Sequence, residues 1–213
     1  MEERIGEGFV LSCSDIITDQ GFSLDFFIHS TNVARIALEI AEDMELSFME
    51  KQSLYQAALF HDIGKSKIPQ SVLNKKGKLS PNEWEIMKKH SIYSQELFLS
   101  MASLNSKNIE IGKIIRYHHE NWDGSGYPDR IAGEDIPLPS RIIRIADIFD
   151  AITQPRAYRN YKITNALEVM EDMKGNEIEK DLFDSSHSLL NSILHKTLKG
   201  NTVNWKKQQL MKL

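Results

Sequence analysis

The chain has 213 residues, 41% of them hydrophobic and 26% charged, with a net charge of −4, which suits one globular domain with a sizeable core. The basic excess that a nucleic-acid polymer demands is missing, although a few local cations can still hold a small anion. No apolar run reaches the ~20 residues of a membrane span, and a single cysteine, Cys13, can build neither an intrachain disulfide nor a cysteine zinc site.

Residues 1–22 show weak periodicity and read as a lead-in; their acidic start, MEERIGEGF, is unlike a secretory signal. A reducing, cytoplasmic setting is therefore expected. Over 24–44, Phe26, Val33, Ile36, Ala37, Ile40 and Met44 recur at three- and four-residue steps and predict an amphipathic helix. A second predicted helix, 50–61, turns Leu54, Ala57, Ala58 and Phe60 inward, with Gly64 as its natural stop. The run NKKGKLSP (74–81) predicts a turn and a helix start, with Ser80 as N-cap, Pro81 at the first helical position and Glu83 at the third. That helix carries Trp84, Met87 and His90. Further helices are expected over 91–102 and 109–118.

Residues 120–139, ENWDGSGYPDRIAGEDIPLP, interrupt the pattern with glycines and prolines and predict a structured loop, too long for a simple linker. A strongly apolar helix follows over 140–152, then helical patterns over 164–173 and 178–198. The tail, 201–213, is compatible with a helix or a frayed end. A convincing period-2 segment is missing (9–11 is ambiguous), so the expected fold is all-α. The expected organisation is a lead-in at 1–22, one domain at 23–200 and a tail at 201–213.

Of the seven histidines, His29, His61, His90, His118 and His119 fall at or near predicted helix ends facing a common interior. One histidine alone is weak evidence for a metal site; the group carries the argument. Helical neighbours such as His61-Asp62 point about 100° apart, so both reach one target only where a helix is ending or the target is wide. The same holds for His118-His119. Two adjacent pairs suit a cluster of ions better than a single ion. Asp147 lies in the nearly all-apolar helix IIRIADIFDAI, where a carboxylate needs a partner, and a metal is an obvious one. Asp150, on roughly the same face, can orient a histidine ligand or accept from a neighbouring helix N-terminus.

These runs resemble a known family. HDIGK (61–65) is similar to the signature of the HD superfamily of metal phosphohydrolases. HHENWDGSGYP (118–128) resembles the second signature of the HD-GYP subgroup, with Gly126, Tyr127 and Pro128 as the GYP. HSTNVAR (29–35), IPQSVLNKKGKLSPNEWEIMKKH (68–90) and IPLPSRIIRIADIFDAIT (136–153) extend the resemblance in order and with compatible spacing. It implies a single helical bundle over 23–200 holding two or three divalent metal ions, iron or manganese. The implied ligands are His29, His61, Asp62, His90, His118, His119 and Asp147. Some family members hold a third ion through a carboxylate four residues before the first histidine, where Asp25 stands; its other reading is a solvated first-turn aspartate favoured by the helix dipole. Nitrogen and carboxylate donors favour iron, manganese or zinc over soft-metal sites.

The resemblance further implies a phosphodiesterase for cyclic di-GMP, giving linear pGpG and in some members GMP, by attack of a metal-bridging hydroxide. Asp62 and Lys65 are the implied catalytic residues, and Lys65, Arg141, Tyr158 and Arg159 the implied substrate contacts, with surface ion pairs as the other reading of Lys65 and Arg141. The GYP loop can shape a guanine pocket or dock GGDEF-domain proteins, with Trp122 and Tyr127 as stacking or docking candidates; loop packing is the other reading of Trp122. The chain departs from the family at Ala157, usually proline, and at Ile178-Glu179-Lys180, where many members carry Phe-Asp-Pro. Those changes bear on substrate contacts, not on metal ligands. Competing expectations are a phosphodiesterase for another cyclic dinucleotide such as cyclic GMP-AMP, a non-catalytic cyclic di-GMP sensor or docking module, and a structural bundle with incidental histidines. The tail can pack on the bundle or on a second subunit, so a homodimer stays open.

Overall fold

Helix α1 (Leu24–Ile40) buries Ser30, Val33, Ala34, Ile36, Ala37 and Ile40, the stripe that the three- and four-residue spacing predicts. It belongs to a computed structural model that describes residues 24–42, 44–153 and 165–210, with 199–210 as backbone alone. The lead-in with Cys13, the run holding Arg156, Ala157, Tyr158 and Arg159, and residues 211–213 lie outside the described residues.

Helix α2 (Phe48–Phe60) starts two residues ahead of expectation because Ser47 and Glu50 close a capping box. The Ser47 hydroxyl accepts from Glu50 N–H at 3.3 Å, and the Glu50 carboxylate accepts from Ser47 N–H at 2.8 Å. Such a cap is worth about 1 kcal/mol. A 3-10 turn (Ile63–Lys67) and the short helix α3 (Gln70–Leu73) follow. Helix α4 (Pro81–Lys88) has the predicted Ser80–Glu83 capping box and Pro81 in its first turn. Helices α5 (His90–Met101), α6 (Ser106–Arg116, capped by Asn105), α7 (Leu138–Thr153), α8 (Ala166–Met173) and α9 (Lys180–Leu210) complete the order. The backbone of α9 runs unbroken across the expected start of the tail at 201. Among the described residues there is no strand, only an isolated bridge between Lys174 and Ile178, as the all-α reading requires. No described helix is long and apolar enough to cross a membrane.

Helix α7 is the axis of the core. Its Ile142, Ile143, Ile145, Ala146 and Phe149 are almost wholly buried against α1, α8 and α9, and each large apolar side chain contributes about 1.5–3 kcal/mol. Helix α1 also packs on α2, α2 on α6, and α6 on α5. The site-bearing ends of these helices therefore sit on a rigid frame.

Gly64 corrects one expectation. It does not stop α2, which already ends at Phe60; it lies inside the 3-10 turn. Glycine stands there because the turn presses on α5: a Cβ would fall 2.2 Å from the His90 carbonyl oxygen and 2.4 Å from the Ser94 nitrogen. Gly64 N–H donates to Ser94 Oγ at 2.8 Å in the same contact. This approach sets Asp62 beside His90.

The loop between α6 and α7 is structured, as expected. One oxygen of the buried Glu120 carboxylate accepts from the N–H groups of Asp129 and Arg130 at 2.7 and 3.0 Å. Arg116 holds Asp129 with two hydrogen bonds of 2.7 Å. Gly126 is buried where a Cβ would lie 2.2 Å from Asn121 N, and the Tyr127–Pro128 peptide is cis. Trp122 and Asp123 donate their N–H groups to the carbonyls of Glu177 and Asn176 at 3.2 and 2.9 Å, which ties the loop to the turn between α8 and α9.

Candidate metal centre

Each expected histidine reaches the interior for a local reason. His61 caps the C-terminal end of α2, His90 opens α5, and His118 and His119 follow the last turn of α6. His61 donates Nδ1–H to the carbonyl of Ala58 at 2.7 Å, His90 to Met87 at 2.8 Å and His118 to Ile115 at 2.6 Å. A carbonyl accepts only, so each ring carries its proton on Nδ1 and turns an Nε2 lone pair inward. His29, from α1, donates Nδ1–H to Asp150 at 2.7 Å, so Asp150 orients a histidine.

Asp62 lies at the centre. Its Oδ1 is 3.2 Å from His90 Nε2 and 3.9 Å from His118 Nε2. Its Oδ2 is 3.4 Å from His61 Nε2 and 3.5 Å from His29 Nε2. Asp147 Oδ1 lies 3.3 Å from His29 Nε2. The donors form two groups, Asp62 with His90, His118 and His119, and Asp147 with His29 and His61, each able to close on one ion.

His61 Nε2, Asp62 Oδ1, His90 Nε2 and His118 Nε2 are buried and make no hydrogen bond. Each such atom costs about 1–3 kcal/mol, so their convergence calls for a cation. Burial and the neighbouring imidazoles push His118 and His119 well below the ordinary range, which leaves them neutral, as ligands must be. Burial opposes the charge of Asp62, but Lys65, His61 and His29 outweigh it and hold the carboxyl well below its usual range. Burial likewise opposes ionisation of Asp147, and hydrogen bonding to His29 overcomes it. The donor set fits divalent metal ions.

A family profile described as HD domain matches residues 12–182. The chain belongs to the HD domain family. It is 37% identical over 158 residues to a 3'3'-cGAMP-specific phosphodiesterase of Vibrio cholerae, covering 73% of this chain and 30% of that protein. It is 42% identical over 128 residues to the cyclic di-GMP phosphodiesterase response regulator RpfG of Xanthomonas campestris, covering 60% and 33%. The chain thus spans about a third of the length of these relatives. Among solved structures, a cyclic GMP-AMP specific phosphodiesterase of V. cholerae superposes with a TM-score of 0.61 at 22% identity, over 87% of this chain and 48% of that one. An HD-GYP-type protein of Bdellovibrio bacteriovorus gives 0.63 at 17%, over 86% and 58%. These two likenesses speak for the all-helical HD fold.

His61-Asp62 and the HHENWDGSGYP run lie inside the matched residues, and the domain match with the curated relatives makes this a domain of the HD-GYP type. Lys65 pairs with Asp62 in this HD domain. Asp25 is exposed in the first turn of α1, outside both ligand groups. Arg141 is engaged through one nitrogen by Glu179 at 2.7 Å and lies 5.5 Å from the Trp122 ring. Tyr127 stacks 4.8 Å from His119 with planes tilted by 33°. Tyr158 and Arg159 lie outside the described residues.

Sequence reasoning missed Arg144. Its guanidinium donates to His119 Nδ1 at 3.2 Å, to Asn121 Oδ1 at 2.9 Å and to Glu177 Oε2 at 2.7 Å. It joins a candidate ligand, the loop and the α8–α9 turn. The available signal was a second cation in a nearly all-apolar helix, which needs a partner. Glu120 was missed as well, although it directly follows His119.

Proposed function

We propose that this HD domain is a metal-dependent phosphodiesterase that hydrolyses cyclic di-GMP to linear pGpG or to GMP. The carrying observation is the buried convergence of unpartnered donors from His61, Asp62, His90 and His118, in a chain 42% identical over 128 residues to a protein named as a cyclic di-GMP phosphodiesterase. Iron or manganese would be held by His29, His61 and Asp147 on one side and by Asp62, His90, His118 and His119 on the other. A third ion would draw on Asp25. When bound, paired ions activate water and neutralise charge growing on the phosphoryl oxygens.

The chain's own residues do the rest. The Asp62 carboxylate faces both ligand groups and fixes their separation. Lys65, next to it and partly exposed, offers its ammonium to a phosphate oxygen. Arg141 offers its remaining guanidinium donors to the second phosphate, and Tyr158 and Arg159 complete the substrate contacts. Gly126, Tyr127 and Pro128 close the loop over His119. A cytoplasmic location, docking of GGDEF-domain proteins on the loop, and a homodimer belong to the same proposal; the mass in solution, measured with and without a GGDEF domain, tests the last two.

A second reading, cleavage of cyclic GMP-AMP, is favoured by the 37% identity over 158 residues to a protein named for that substrate. One experiment separates the two: protein prepared without oxygen, metal content by elemental analysis, and turnover of both dinucleotides side by side with Fe or Mn supplied. The main reading expects bound metal and faster release of pGpG or GMP from cyclic di-GMP. Faster cleavage of cyclic GMP-AMP supports the second reading. Bound metal with no turnover marks a sensor, and failure to bind metal overturns the central proposal.

A further inference from the structure

Trp84 is a large aromatic residue that the reading above does not use. It is 47% exposed, yet its ring meets Tyr127 at 6.1 Å between centroids with planes at 80°. Tyr127 in turn lies 4.8 Å from the His119 ring and 6.2 Å from the His90 ring. Trp84 thus stands two ring contacts from the proposed ligands, on the outer side of the metal centre.

Helix α4 buries none of its residues, so Trp84 is not there to anchor the helix in a core. The helix is nevertheless fixed at both ends. Ser80 and Glu83 close its N-terminus, and the Met87 carbonyl at its other end accepts Nδ1–H of His90 at 2.8 Å. One short helix therefore places an uncovered indole and orients a metal-facing imidazole. The perpendicular rings of Trp84 and Tyr127 make a corner, with one flat face and one edge, which is the arrangement that receives a third planar ring. A phosphodiester seated at the imidazoles extends through its ribose towards a base, and a base is the planar group that such a corner takes.

We infer that Trp84 is a stacking platform for a purine base of the substrate, with Tyr127 as its side wall. The inference rests on the phosphodiesterase reading for its substrate, and its test is separable from that reading. Stacking uses the π-face that every base has, so the platform selects for a base over none, and does not choose guanine over adenine.

The test compares metal-loaded wild type, Trp84→Ala and Trp84→Phe. Binding of GMP and of ribose 5-phosphate is measured by calorimetry, and turnover of cyclic di-GMP is measured in parallel. Wild type is expected to prefer GMP, Trp84→Ala to lose about tenfold of that preference, and Trp84→Phe to keep most of it. For turnover, KM should rise about tenfold in Trp84→Ala with kcat nearly unchanged. Metal content and thermal midpoint should match wild type, since the side chain is half exposed; a fall in either makes the role structural and overturns the inference. An unchanged GMP preference in Trp84→Ala, or no preference in wild type, also overturns it. A preference that depends on Trp84 in a protein that cleaves no cyclic dinucleotide keeps the platform and removes the phosphodiesterase reading.

Discussion

Asp150 and His29 show how single side chains set the chemistry. Asp150 touches no proposed ion; it accepts Nδ1–H of His29 at 2.7 Å and so aims Nε2 at the centre. Asp150→Ala is expected to weaken metal binding about 10–100-fold, read by competition with a fluorescent metal indicator. Burial disfavours a charge on His29, but hydrogen bonds to Asp147, Asp150 and Asp62 outweigh it and raise its pKa to about 11. The folded value lies above the unfolded 6.5, so in the metal-free protein the stabilisation from protonated His29 is complete below about pH 6.5 and fades as pH rises towards 11. The urea midpoint of metal-free wild type should therefore approach that of His29→Gln across this window. A ligand must be neutral, so loading metal at pH 7 should expel a proton from His29. Calorimetry in two buffers of different ionisation enthalpy checks this by the difference in observed heat. The sequence disclosed the ligand-type residues through adjacent pairs and motif order. Arg144 stayed hidden because its partners, His119, Asn121 and Glu177, come from distant segments that only folding brings together.

At the level of elements, short-range chemistry was readable and close approach was not. The Ser80–Pro81–Glu83 start of α4 followed directly from side-chain capping, and the apolar stripe of α1 from its spacing. Gly64 looked like a helix terminator, since glycine after an apolar run is the ordinary C-terminal signal. Its actual reason, backbone of α5 only 2.2 Å from where a Cβ would be, has no local signature. Gly64→Ala should push the 3-10 turn off α5, cost about 1–3 kcal/mol as overpacking does, and separate Asp62 from His90. Chemical denaturation and metal content report the two effects. Ser80→Ala should cost only about 1 kcal/mol in the same denaturation measurement and leave the metal bound.

For the whole molecule, the proposed ligands come from α1, the end of α2, the start of α5, the end of α6, and α7, so an ion there joins segments that the core alone holds only from behind. Mn at about a hundred times its dissociation constant should add roughly 2.7 kcal/mol of stability, visible as a concentration-dependent rise in thermal midpoint. The inner donors of His61, Asp62, His90 and His118 are almost wholly buried, while His29, His119, Asp147 and Lys65 are only partly so. Traffic to the inside therefore crosses that rim, where Lys65 is paired with Asp62. A scavenger such as EDTA in the bulk reaches the ion held by the deep imidazoles of His90 and His118 only when that rim opens. Extraction should then proceed at a pace set by opening of the rim, indifferent to how much scavenger is present.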